Sequence, residues 1–197
     1  MAQHPSKAAS ATDSGMKHSG KTLLILLTAL ALCLVAVFLY GHFTTLRTTD
    51  DILKKAAKEC HIPIDEDSSL SLCGSCETDA NEHIFWFTAP DSQGENRYQP
   101  MHFTEVGENE YKFRHAPKSF VSENDIAYDH YSRGIVYLVN NPDCATIVIN
   151  ADTEDETSVS VDSVPFIYKY EYTTPDNTES EENISVQFLD KNGNVIM

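Results

Sequence analysis

The chain has 197 residues, with 14 Lys plus Arg against 30 Asp plus Glu and a formal net charge of −16. Hydrophobic residues make up 41%, too many for a chain disordered throughout, and the length suits one ordinary domain. The acidic balance excludes a nucleic-acid binder, because a phosphate backbone attracts clustered Lys and Arg.

Residues 1–22 are rich in Ala and Ser, hold three Lys and one Asp, and show no apolar period. They read as a short disordered cytoplasmic tail. Met16-Lys17-His18-Ser19-Gly20-Lys21 looks like the natural beginning of a signal-anchor. Leu23 to Tyr40 then runs for 18 residues without a charge, broken only by Thr28. As a helix it would extend roughly 27 Å, close to the ~30 Å hydrocarbon core of a bilayer. Lipid leaves backbone groups no partner outside the segment, which selects helix. Ala29-Leu30-Ala31 lies too early in the run for a cleavage site, and Leu32 spoils a lipoprotein motif ending at Cys33. The expectation is an uncleaved transmembrane anchor over 23–40, with the bilayer as its partner.

Basic residues flank the span almost evenly: Lys7, Lys17 and Lys21 before it, Arg47, Lys54, Lys55 and Lys58 after it. Lys17 and Lys21 lie nearest, which places the N-terminus inside and residues 42–197 outside. The acidity belongs to that outer part, with 11 basic and 29 acidic groups in 41–197, net −18.

Residues 41–62 read as a juxtamembrane connector and a short amphipathic helix. Asp50 or Thr49 would cap it, Ile52, Leu53, Ala56, Ala57 and Cys60 would share its packed face, and Pro63 would end it. Residues 63–197 read as an acidic β-rich domain. Ile84 to Phe87 is a short aromatic strand. Met101 to Val106 and Glu110 to His115 flank a Gly107-Glu108-Asn109 turn, with Tyr111, Phe113 and His115 on one face. Ile135 to Val139 and Thr146 to Ile149 are continuous apolar runs on either side of a turn at 140–143, and read as central strands. Phe166, Tyr168, Tyr170 and Tyr172 share one strand face, and Ile184, Val186 and Phe188 another. Asn192-Gly193 signals a hairpin turn. The fold expected is one transmembrane helix followed by a small, mostly-β (α+β) extracytoplasmic domain of about eight antiparallel strands.

Four cysteines lie outside the span: Cys60, Cys73, Cys76 and Cys144. An even number in an extracytoplasmic domain predicts two disulfides. Cys73-Gly74-Ser75-Cys76 has the spacing of a redox pair, though the carboxylates of Glu77 and Asp79 disfavour a reactive thiolate. Cys60, Cys73, Cys76 and His83 form an alternative zinc set. Phe85, Trp86, Phe87 and Tyr98 are candidate contact residues for a partner, with burial in the core as the competing reading.

No catalytic motif is legible. HExxH, GxSxG and phosphate-cradling glycine loops are missing from the sequence. Size and anchoring resemble sortase-like transpeptidases, which use a Cys nucleophile followed by an Arg. The resemblance breaks at Asn140-Asn141-Pro142-Asp143-Cys144, which does not match that family's TLxTC motif. All four Arg precede Cys144, so none is placed to steady an oxyanion. The reading is a non-catalytic, single-pass envelope protein that binds another envelope protein and calls for no cofactor. The alternative is thiol-redox or zinc chemistry at Cys73 and Cys76.

Overall fold

The computed structural model describes residues 15–62, 70–122, 124–151, 153–172 and 184–197. The chain divides into two units, Met1–Thr45 and Leu46–Met197.

The first unit is helix α1, Gly15–Thr44. Residues 21–40 are all exposed, as an apolar segment must be when no protein covers it. Lys21–Gly41 is long and apolar enough to cross a membrane. Its one polar side chain in the apolar run is satisfied internally, since Thr28 Oγ1 donates to the Leu24 carbonyl at 2.9 Å.

The second unit begins with helix α2, Thr49–Glu59. Its N-cap is Thr48, one residue earlier than expected. Thr48 Oγ1 accepts from the Asp51 amide at 3.1 Å, and Asp51 Oδ2 accepts from the Thr48 amide at 3.2 Å. This reciprocal box satisfies two orphan donors of the first turn. Cys60 is the C-cap, so the helix ends before Pro63, which lies outside the described residues.

Among the described residues eleven strands follow, all paired antiparallel: β1 Ser71–Glu77, β2 Glu82–Pro90, β3 Asn96–Gly107, β4 Glu110–His115, β5 Phe120–Val121, β6 Ile126–Tyr131, β7 Gly134–Val139, β8 Cys144–Ile149, β9 Thr157–Ser160, β10 Phe166–Glu171 and β11 Val186–Asp190. They make three sheets. Sheet A runs β1-β2-β3-β4, with β5 also on β3. Sheet B runs β10-β7-β6, and sheet C runs β11-β8-β9.

Side-chain alternation stacks these elements in four layers. On one face of sheet A, Phe85, Phe87, Met101 and Phe103 pack with Ile52 and Ala56 of α2. On its other face, Ile84, Trp86 and Tyr98 pack with Ala127, Val136 and Leu138 of sheet B. The far face of sheet B then carries Ile126, Ile135, Tyr137 and Val139 against Cys144, Ile147, Ile149 and Phe188 of sheet C. This explains why β7 reads Gly-Ile-Val-Tyr-Leu-Val with every residue buried: it is the middle strand of the middle sheet. The expectation of two central strands holds, since β7 and β8 each lie between two neighbours. The turn at 140–143 does not fold them into one hairpin, however; it carries the chain from sheet B to sheet C.

The tyrosine strand and the Ile184-Val186-Phe188 face both pack on this last core, as the alternation predicts. The glycine turn also forms: Asp190 NH donates to Asn194 O at 2.9 Å, and Gly193 takes φ +82°, a conformation open to glycine.

Candidate functional site

Two backbone irregularities decide where the chemistry-bearing residues lie. In β1 the register with β2 shifts between Leu72 and Gly74, so Cys73 is an extra residue in a bulge. Leu72 consequently packs on the α2 side, while Cys73 and Cys76 both turn toward sheet B. The Cys-Gly-Ser-Cys motif is thus drawn out along an edge strand. Three residues of regular strand span roughly 10 Å, against a Cα separation of about 4.4–6.8 Å in a disulfide.

Cys60, Cys73, Cys76 and Cys144 are all free thiols, in place of the two disulfides expected. The packing gives the reason. Cys60 lies with the α2 core, Cys73 and Cys76 between sheets A and B, and Cys144 between sheets B and C. Burial pushes the Cys73 and Cys76 thiols up to about 11, so neither is poised as a nucleophile. Burial raises Cys60 and Cys144 as well.

The zinc set is not assembled either. Among the described residues no group of three or more His, Cys, Asp and Glu side chains could hold a metal ion. Sheet A separates the candidates. His83 stacks edge-on against Tyr111 on the α2 side, with ring centroids 5.2 Å apart, and its Nε2 meets Glu105 Oε2 at 3.1 Å. Cys73 and Cys76 are on the opposite side.

The aromatic contact candidates are core. Phe85 is 4% exposed, and Trp86, Phe87 and Tyr98 are 0% exposed. They present no surface to a partner, because sheet A is covered on both faces.

Sequence reasoning did not find two arrangements. The first is a histidine pair. A second bulge, in β4 at Arg114, turns His115 away from the face of Tyr111 and Phe113 and sets it opposite His102. The two imidazoles stack with centroids 4.1 Å apart and planes at 12°. His102 Nε2 meets Asp129 Oδ2 of β6 at 2.7 Å, which joins sheet A to sheet B. Burial, then the neighbouring His102, lowers the His115 pKa from its ordinary value. An Asp-oriented imidazole can serve as a base only where a substrate can reach it.

The second arrangement is a pair of adjoining clefts beside β5 and β6. One, of about 320 Å³, is floored by Phe120, Val121, Ile126, Tyr128 and Met197. The other, of about 500 Å³, is walled by Gly94, Glu95, Asn96 and Asp125; Val121 and Ser122 line both. His102 lines neither of these clefts.

A polar network fixes the wall. Tyr98, wholly buried, donates its hydroxyl to Asp125 Oδ1 at 2.6 Å and accepts from Asn140 Nδ2 at 3.0 Å. Asn96 Nδ2 donates to the same Asp125 oxygen at 3.2 Å. Burial and the Asp125 carboxylate hold the Tyr98 phenol far above its usual range, so it stays a proton donor. Tyr98 therefore works from behind the wall rather than at the surface. Comparison with protein-family models, curated proteins and solved structures gives no match to this chain.

Proposed function

We propose that this protein is a membrane-anchored binding domain. In this reading α1 crosses a lipid bilayer, residues 42–197 lie on the extracytoplasmic side, and the β-rich unit engages another envelope protein without catalysing a reaction. The observation that carries the reading is the exposed apolar floor beside β5 and β6. Val121, Tyr128 and Met197 are 37%, 44% and 46% exposed, and they line one cleft together. Apolar groups left together in a concave place favour a ligand or partner. The length of the apolar helix supports the anchor. Lys17 and Lys21 beside the span support the orientation.

The test is crosslinking of the full-length chain in its native cells, followed by purification through an appended tag. A discrete adduct with another envelope protein is the expected result. Recovery of uncrosslinked chain alone under conditions that trap known envelope complexes would sink the binding role. Orientation is read separately: protease added outside intact cells with permeable outer layers should digest residues 42–197. Their protection would reverse the topology.

A further inference from the structure

We propose that the groove between β5 and β6 docks an extended segment of a partner protein in which an apolar side chain stands beside a Lys or Arg. This rests on the binding reading above and gives that partner a chemistry. Three features of the groove converge on it.

The first is an open strand edge. β6 is the last strand of sheet B. Asn140 NH donates to Asp125 O at 2.8 Å, which fixes the hydrogen-bonding phase of the β6–β7 ladder. In that phase Ala127, Asp129 and Tyr131 bond to β7, and the backbone groups of Ile126 and Tyr128 point outward. Ser122 Oγ covers Ile126, donating to its carbonyl at 2.6 Å and accepting from its amide at 3.0 Å. Tyr128 comes next, and among the described residues no strand lies along the side of β6 away from β7. An incoming extended chain can add there, its register begun where Ser122 stops.

The second feature is the floor. The smaller cleft, about 320 Å³, is at the low end for a ligand cavity and suits one or two side chains rather than a cofactor. Its exposed apolar members are Val121 of β5, Tyr128 of the next strand β6, and the distant Met197.

The third feature is charge. The adjoining cleft is walled by Glu95 and Asp125, and among the described residues no Lys or Arg lines either cleft. Asp125 is held rigidly, with both of its side-chain bonds on Oδ1; among the described residues Oδ2 accepts none. A pre-oriented carboxylate beside an apolar floor selects a cationic side chain next to an apolar one. The net charge of −18 over residues 41–197 steers such a segment in and turns acidic segments away.

The experiment uses the full chain in phosphatidylcholine nanodiscs, which carry no net charge. The probes are short fluorescein-labelled peptides alternating Leu with Lys or Leu with Glu, read by anisotropy. The Leu/Lys peptide should bind in the micromolar range expected of a small, transient contact, and more weakly as salt rises. The Leu/Glu peptide should not bind. Val121→Lys, at an exposed position where folding should survive, should weaken Leu/Lys binding about tenfold, and Glu95→Gln about threefold. Thermal melts confirm that each variant is folded. Equal binding of both peptides, or wild-type affinity in folded Val121→Lys, overturns the groove assignment.

A photocrosslinker at Val121 and another at exposed Arg114 on β4, used in cells, separate the two levels of the proposal. A partner trapped at Arg114 and none at Val121 overturns the groove and leaves the binding domain standing. A second copy of this chain trapped at Val121 overturns the proposed occupant. No adduct at either position counts against both levels.

Discussion

Two stretches of this chain are almost purely apolar, and they end in opposite surroundings. Residues 23–40 are helical and all exposed, whereas every residue of Gly134–Val139 is buried. Composition does not separate them; length does. Six residues of strand fit between two layers of side chains. Eighteen residues of apolar helix are long enough to match the hydrocarbon of a bilayer. The same hydrophobic preference is met by protein in one place and, in the reading proposed above, by lipid in the other.

Charge insertion tests this contrast most severely. Leu138→Asp places an unpaired carboxylate between sheets A and B, at a cost of several kcal/mol out of a total stability of about 5–15 kcal/mol. The β-rich unit should lose its cooperative near-ultraviolet melt. Leu30→Asp in α1 should leave that melt unchanged and instead reduce retention of the chain in alkali-washed membranes. A melt lost in Leu30→Asp would mean that the two stretches are not independent.

Glycine substitution sharpens the same comparison. A Cβ on Gly134 would collide with the Tyr170 carbonyl oxygen, so Gly134→Ala must push β10 off β7. The expected loss is about 2–3 kcal/mol, seen as a lower denaturant midpoint. A Cβ on Gly41 meets nothing within 4 Å, and Gly41→Ala should leave that midpoint where it is.

Smaller effects belong to the edges of the β-rich unit. Thr48→Ala removes the cap of α2 and should cost about 1 kcal/mol in the same measurement. The smallest effect is electrostatic. Hydrogen bonds from the Asn194 side chain and backbone, then from Asn192, lower Asp190 to about 2, below its ordinary 3.8. The folded state therefore favours the ionised carboxylate. That contribution is complete above about pH 4 and fades as pH falls toward 2. In melts across this window Asp190→Asn should lose less stability with acid than the parent chain does. An unchanged acid profile would show that the turn bonds do not act through this charge.

The sequence made legible what depends on strict periodicity. The apolar helix, the amphipathic α2, the two central strands and the tyrosine face all follow from regular spacing. Bulges defeat that logic, because one extra residue inverts every later side chain. Cys73 joined Cys76 on one face, and His115 left the face of Tyr111 and Phe113, each through such an insertion. β1, β5, β6 and β9 were not legible either. Ser71-Leu72-Cys73-Gly74-Ser75-Cys76-Glu77 lacks the branched and aromatic residues of typical strands, and Asp129 and His130 interrupt the apolar pattern of β6. The groove was hidden for a different reason. Glu95 and Met197 are far in the chain from Val121, Asp125 and Tyr128, and each is ordinary in its own surroundings; only the sheet edge brings them together.

The order in which strands are laid down has a consequence for how the unit forms. Sheet A is built from one continuous stretch, residues 71–121. After it the chain writes β6 and β7 into sheet B, β8 and β9 into sheet C, then returns to B with β10 and to C with β11. Sheet A can thus close through local pairings while synthesis is still under way, whereas B and C are interlaced and finish only together. Their closing strand, Val186–Asp190, lies almost at the last residue, and its Phe188 meets Tyr137 of β7 at a ring separation of 5.7 Å. Removing Val186–Asp190 would not trim an ornament: it would uncover the face of sheet B on which Phe188 packs.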